Sequence, residues 1–343
     1  MARQEKLSAG MSPQHQLAGM IWSFTKVQII YAAAKLGIPD LLSQGPQNAS
    51  VLARALEIDP QIMFRLMRGL AWCGLVAHSE DDRFALTPLG ECLQRDSPGS
   101  LYDNALSMGE IDWPAWGSFL DVIRSGKPGF VHAFGMEVFE YFTEHETAGR
   151  RFDGLMRRLS ASVSEQVVGA YDFSDFSTFV DVGGGNGTLT TSILEANPRI
   201  RGILLDLPKV VERTKRFLSA SKVADRCEAV GGDFFESVPP GGDVYIMKWI
   251  LHDWTDERCV RILENCRDRM ADEGRLLVVD RVMPEQASPS TLGVMWDLHM
   301  LVLHNGLERT ETQLRTLFSS SGFELTRVIP TESGMSVVEA VPA

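Results

Sequence analysis

Four glycines in seven residues, Asp181-Val-Gly-Gly-Gly-Asn-Gly187, constrain this chain more than any other stretch. The residues before them, Phe176 to Val182, read as a buried strand. Those after them, Thr188 to Ala196, read as a helix. An acid at a strand end, then glycines, then a helix is how an α/β sheet opens a nucleotide site, because glycine lets backbone turn sharply and approach a ligand closely. The spacing is Asp-x-Gly-x-Gly-x-Gly, through Asp181, Gly183, Gly185 and Gly187. A dinucleotide fingerprint starting at Gly183 would need glycine where Thr188 stands, and a phosphate loop would need a lysine that is missing. A ligand-free strand-to-helix turn fits the same residues, so the rest of the chain must decide.

With 343 residues, 44% of them apolar, the chain has room for two domains with separate cores. Its net charge is -12. The first hundred residues carry nine Lys/Arg and nine Asp/Glu, so all the excess acidity lies beyond them. Such a balance disfavours a nucleic-acid partner. No apolar run is expected to reach a membrane span, and the polar stretch Met1 to Gln14 does not read as a signal peptide. Cys73, Cys92, Cys227, Cys259 and Cys266 are odd in number and scattered, which suits reduced thiols in a cytoplasmic enzyme rather than metal ligands.

From Gln14 to Leu42 apolar residues recur at helical spacing (Leu17, Met20, Ile21, Phe24, Val27, Ile30, Ala34), until Gly37-Ile-Pro-Asp40 breaks the run. Burial by a partner and burial in an ordinary helix pair both remain open. A helix capped near Ser50, a second from Gln61 to Cys73 and a hairpin around Ser79-Glu-Asp-Asp82 give a winged-helix order. The second helix offers only Arg65 and Arg68 and the wing tip is acidic, so dimerisation suits this region better than DNA binding. Leu101 to Arg158 is helical and rich in aromatics. Trp116 and Met136 are candidates for a substrate pocket there.

Beyond the glycines, strands alternate with helices. The second strand, Arg201 to Asp206, ends in an acid 23 residues after Gly183, where nucleotide-binding α/β units place the carboxylate that accepts ribose hydroxyls. After the third strand, Asp233 can accept from an adenine amino group and Phe234 can cover the ring, although turn chemistry and core packing account for both as well. The fourth strand, Val244 to Met247, runs into Lys248-Trp-Ile-Leu-His-Asp-Trp254, which puts His252 at a sheet's ligand-binding end. Thr255 should cap the helix that follows. The fifth strand ends at Asp280. His299 and His304 sit in or beside an apolar helix, and Thr310 with Gln313 forms a capping box. Two last β-runs close the sheet.

Gly231-Gly-Asp-Phe-Phe235, Trp249-Ile-Leu-His-Asp-Trp254 and Glu308-Arg-Thr310, in that order behind the glycine loop, resemble the small-molecule O-methyltransferases that use S-adenosylmethionine (SAM). The family includes plant phenolic and bacterial natural-product enzymes, and the resemblance spans nearly the whole chain. It implies a Rossmann-like class I methyltransferase α/β sheet with an N-terminal, mainly helical winged-helix dimerisation domain. The expected division is a dimerisation domain over 1–100, a helical linker contributing to the pocket over 101–165, and a SAM-binding catalytic domain over 166–343. It further implies a metal-free homodimer through the N-terminal helices, with S-adenosyl-L-homocysteine as by-product. Gly183 and Gly185 then belong to the cofactor loop, Gly183 at the amino-acid moiety. Asp206 lies at the ribose, Asp233 and Phe234 at the adenine, and Lys248 beside the cofactor. His252 matches the family's general base, and Asp280 and Glu308 match the acids flanking it. The family often has Glu at the place of Asp280, so the reach there is one methylene shorter. His304-Asn305 replaces smaller residues common in bacterial members. Trp249, His299 and His304 join Trp116 and Met136 as pocket candidates for an aromatic acceptor.

The chemistry needs the same parts. A phenol with pKa near ~10 is mostly protonated at neutral pH. A neutral histidine can take its proton during methyl transfer, and a carboxylate on the other ring nitrogen fixes the tautomer. Two rivals stand beside this expectation. One is SAM used for hydroxylation, decarboxylation or a pericyclic reaction, which the retained His252 disfavours. The other is a winged-helix regulator with a vestigial site, which the neutral N-terminal region disfavours.

Overall fold

The computed structural model describes residues 12–286 and 293–343. Most of the polar stretch Met1 to Gln14, which carries the signal-peptide expectation, lies outside them. The chain divides into two compact units, Met1–Pro114 and Ala115–Ala343.

In the first unit Asp59 accepts from the backbone of Gln61 and Ile62 and so caps the helix Pro60–Trp72. Met63, Met67 and Leu70 of that helix are buried against Ala33, Ala34, Ile38, Leu52 and Phe84. The hairpin is present: β1 (Val76–His78) pairs antiparallel with β2 (Phe84–Leu86). Two local expectations need correction. Gly37 does stop the helix Phe24–Lys35, at φ +68°, but Ile38–Leu42 is a further short helix, since proline is tolerated in a first turn. The helix expected to be capped at Ser50 is Ala49–Leu56, with Asn48 at the cap position.

The N-terminal helix Pro13–Ile21 buries none of its residues. Leu17, Met20, Ile21 and Trp22 are 59%, 71%, 62% and 63% exposed. The first part of the run is therefore not an ordinary buried helix, whereas its second part packs into the core through Ala33, Ala34, Ile38 and Leu42; exposed apolar faces like the first are common at association surfaces. Residues 13–35 are also long and apolar enough, by length and composition alone, to cross a membrane. The expectation that no run reaches that length is corrected. Uncharged Gln14, Gln16 and Gln28 break the apolar pattern to the eye, but Lys26 and Lys35 are the only Lys, Arg, Asp or Glu in the run.

The second unit opens with short helices that lead into the long helix Glu146–Ala170. Its sheet consists of β3 (Thr178–Val182), β4 (Arg201–Asp206), β5 (Cys227–Gly231), β6 (Val244–Lys248), β7 (Arg275–Asp280), β8 (Phe323–Pro330) and β9 (Ser336–Pro342). They lie in the order β5-β4-β3-β6-β7-β9-β8. The first five are parallel, and β9 runs antiparallel between β7 and β8. Alternate side chains face opposite sides, as the strand period of two requires. Val180, Val182, Tyr245, Met247, Leu276 and Val278 enter one core, and Phe179, Val244, Ile246, Leu277 and Val279 the other. Burial on both faces is why these strands read as unbroken apolar runs. Strand order reverses between β3 and β6, so a crevice opens at their carboxyl ends. The predicted Thr310–Gln313 capping box is present. Thr255 occupies its cap position without a side-chain capping bond.

Candidate active site

A cavity of about 580 Å³ occupies that crevice, a size suited to a small ligand. Its first wall is the glycine loop. Gly183 and Gly184 donate their N–H groups to the Leu205 carbonyl at 2.8 and 3.1 Å, which ties the loop to β4. Gly183 takes φ +72°, and a Cβ there would collide with Ile250. The Asp206 carboxylate clamps the loop, accepting from Gly185 N–H and Leu207 N–H, each at 2.7 Å. Burial raises Asp206 to about 6 despite those two bonds. Asp181 behind the loop is likewise raised to about 6 by burial, and it accepts from Thr190 Oγ1 at 2.5 Å.

At the end of β5, Asp233 Oδ1 accepts from Phe235 N–H at 2.8 Å, the turn bond that its position allowed for. Phe234 lines the cavity and stands edge-on to Phe235 and Trp254. Asn265 Nδ2 holds the Phe234 carbonyl at 2.7 Å. Gly183, Gly185, Asp206, Asp233, Phe234 and Lys248 thus all line one cavity.

The opposite wall begins where β6 ends. Lys248 is partly buried, and that desolvation lowers it to about 8, with Asp181 and Asp280 opposing the shift. Its ammonium lies 3.9 Å from the centre of the Trp249 ring. Trp249 adopts φ +58°, a strained conformation for an aromatic residue, held by its N–H to the Val279 carbonyl. The chain then makes a tight turn over Leu251–Asp253. His252 Nδ1 lies 3.0 Å from Glu308 Oε1. Burial opposes a charged imidazole, but Asp253, Asp280 and Glu308 outweigh it and raise His252 to about 9. Asp280 acts on the ring through its field: it makes no hydrogen bond to His252, and its Oδ1 is buried without a partner. Burial raises Asp280 itself to about 6.

Two residues that the sequence reading passed over hold this turn. Arg309 is 3% exposed and donates to the carbonyls of Leu251 and Trp254 at 2.8 and 2.9 Å. Gly306 passes so close that a Cβ would collide with the His252 carbonyl, and Leu307 N–H donates to that carbonyl at 2.9 Å. Arg309 stands inside the Glu308-Arg-Thr310 motif, and Gly306 two residues before it, so position in the motif was the available signal.

The remaining wall is aromatic and thioether: Phe139, Phe152, Met156, Trp296 and Met300 line it together with Trp249, His299 and His304. Trp116 and Met136 are not among the lining residues. Trp116 stands behind the wall and donates from Nε1 to His299 Nδ1 at 3.2 Å. Burial first, then the His252 charge, lowers His299 to about 4 and His304 to about 3, so both are neutral near pH 7. Among the described residues, no group of His, Cys, Asp and Glu is arranged to hold a metal ion.

Comparison with known proteins agrees with this architecture. A family profile for an O-methyltransferase domain matches residues 116–324, and one for an O-methyltransferase dimerisation domain matches residues 19–96. The phenazine O-methyltransferase of Lysobacter antibioticus is 42% identical over 326 residues, covering 95% of each chain. The phenazine-1-carboxylate N-methyltransferase of Pseudomonas aeruginosa is 34% identical over 332 residues, covering 96% of this chain and 98% of that one. A solved methyltransferase of calicheamicin biosynthesis, bound to S-adenosyl-L-homocysteine, superimposes with a TM-score of 0.78 at 35% identity, covering 97% of this chain and 100% of that one. Since both units match and SAM is the family's methyl donor, this chain belongs to the O-methyltransferase family of secondary-metabolite methyltransferases.

Proposed function

We propose that this protein methylates a phenolic hydroxyl of a small aromatic metabolite, with His252 as general base. The observation that carries the reading is the His252–Glu308 pair at 3.0 Å on the cavity wall. Glu308 accepting from Nδ1–H leaves Nε2 as the basic nitrogen. The surrounding carboxylates make that nitrogen a stronger base than an ordinary imidazole, close in strength to the phenolate it must generate. Asp280 adds field, and Glu308 adds both field and orientation. An amine acceptor offers a lone pair without such a base, so the pair favours oxygen over nitrogen although relatives of both kinds exist.

SAM fits the residues of the opposite wall. The glycine loop leaves open space at Gly185, where a side chain would intrude on backbone-close binding, and Gly183 lets the loop pack against Ile250 without a clash. Asp206 suits the ribose hydroxyls, Asp233 and Phe234 the adenine, and Lys248 the neighbouring charge. When bound, SAM supplies an electrophilic methyl group. The protein's own work is to hold the hydroxyl in line, keep out water and remove one proton. Aromatic and thioether side chains on the far wall suit a flat acceptor. Nothing in the scheme calls for a metal ion.

Homodimerisation through the N-terminal helices belongs to the same reading. It is supported by the dimerisation-domain match and by the exposed Leu17, Met20, Ile21 and Trp22. A cytoplasmic setting is supported by five free cysteines, and the acidic charge argues against a nucleic-acid partner. The deciding experiment is mass spectrometry of products from a panel of phenols and aryl amines, with SAM labelled on its methyl. Label on oxygen supports the reading; label only on nitrogen, or none transferred, overturns it.

A further inference from the structure

Between β6 and the helix Asp256–Arg267 lies the turn that carries His252. Local capping does not fix it, since Thr255 at the cap position makes no side-chain bond. Buried carbonyls in such a turn need donors from elsewhere. Arg309 donates from Nη1 to the Leu251 carbonyl at 2.8 Å and from Nη2 to the Trp254 carbonyl at 2.9 Å. The Cys259 thiol reaches the same two oxygens at 3.2 and 3.5 Å. Leu307 N–H takes the His252 carbonyl between them. Asp256 Oδ1 accepts from Arg309 Nε at 2.9 Å. Burying a cation is unfavourable unless its donors are satisfied. What the guanidinium adds is a planar fork that spans two carbonyls three residues apart, which a single neutral donor cannot do. Arg309 also follows Glu308 directly, and Glu308 Oε1 lies 3.0 Å from His252 Nδ1.

We propose that Arg309 is the positioning residue of the base: its guanidinium locks the 251–254 turn against the Glu308 segment, so that His252 keeps Nδ1 on Glu308 and Nε2 free for the acceptor. Released from Arg309, the turn can carry the imidazole off the carboxylate, and a misplacement of about 1 Å costs about a hundredfold in rate. The direction of one shift separates this role from a purely electrostatic one. Asp253, Asp280 and Glu308 raise His252 from 6.5 to about 9, and His299 and His304 stand on the same wall, neutral near pH 7. Removing the Arg309 charge alone would raise His252 further, whereas losing the Glu308 contact would lower it. The inference rests on His252 as the base of the proposed methyl transfer and names what holds it in place.

The test follows the His252 ring by NMR in the full chain labelled with 13C at histidine Cε1, assigned through His252→Gln, in the wild type, Arg309→Met and Arg309→Lys. Alongside it, kcat/KM is measured against pH for a phenol that the wild type methylates, and SAM affinity by calorimetry. In Arg309→Met the ring should titrate about one to two units below the wild type. The pH at which kcat/KM levels off should fall with it, to a plateau about a hundredfold lower, with SAM affinity near that of the wild type. Arg309→Lys keeps the charge but offers a point donor in place of the fork. It should show a smaller downward shift and a partial return of rate, and it carries the test if Arg309→Met does not fold. A titration that stays at the wild-type value or moves upward in both variants would overturn the inference and leave O-methylation standing. So would a rate loss that SAM affinity follows in step. A wild-type ring that titrates near 6.5 would count against the base itself and so against both readings. The NMR readout needs no acceptor, so it separates failure of this inference from failure to methylate any phenol.

Discussion

The two ends of the cavity are built differently. The end proposed to hold the methyl donor consists of backbone and strand-end acids. The loop 183–187, Asp206 and Asp233 each lie within a few residues of a parallel strand, and the sheet register sets their positions. The end proposed for the acceptor is assembled from side chains of helices around 139–163 and 296–304 and from the turn at 251–253, which only packing brings together. A site fixed by the sheet serves a constant ligand. A site made by packing can change its ligand without changing the fold, as the O- and N-methylating relatives illustrate.

The largest expected effect lies at the acceptor end. His252 is raised from its ordinary range to about 9, so below that pH the imidazole is mostly protonated and cannot act as a base. The rate kcat/KM should climb about tenfold per pH unit from neutrality and level off near 9. A flat profile between pH 7 and 10 would remove the distinction between the two ends. The donor end should respond to Asp206→Ala. Losing a charged acceptor that also clamps Gly185 should weaken SAM binding by about ten- to a hundredfold in calorimetry, with a smaller change in kcat at saturating SAM. Wild-type affinity would show that the loop does not need its clamp. A milder version uses pH. Asp206 and Asp181 are raised to about 6 by burial, so both are ionised above that value and take up protons below it. SAM affinity should therefore fall as pH drops through 6, and constant affinity from 7 to 5 would contradict the ribose assignment. The smallest effect belongs to Trp116→Phe, which removes one neutral hydrogen bond to His299. A rise of about two- to tenfold in acceptor KM is expected, read by steady-state kinetics, with SAM affinity unmoved.

The same contrast explains what the sequence made legible. The glycine spacing, the acid ending β4 and the motif after β6 all sit in contiguous segments whose position follows from strand periodicity, so the sheet and the cavity-lining residues at its strand ends could be located before any packing was known. Trp116 and Met136 were chosen from an aromatic-rich region by composition alone. The lining from that part of the chain instead comes from Phe139, Phe142, Phe152 and Met156, because which face of a short helix turns inward depends on its neighbours. Arg309 and Gly306 lay in or beside a recognised motif, yet their work is tertiary. They hold backbone carbonyls of a turn more than fifty residues earlier, and no local pattern reports that. In the N-terminal unit the helical period was plain. Whether its apolar face was covered was not, since exposure depends on the rest of the fold.

The central claim is that proton removal and donor binding reside on different walls of one cavity. It is tested most directly by measuring single-turnover methyl transfer and SAM affinity together in His252→Ala. The account predicts a rate loss of about a hundred- to ten-thousandfold with SAM affinity near that of the wild type. A variant that transfers methyl at the normal rate, or one whose SAM affinity falls in step with its rate, would contradict it.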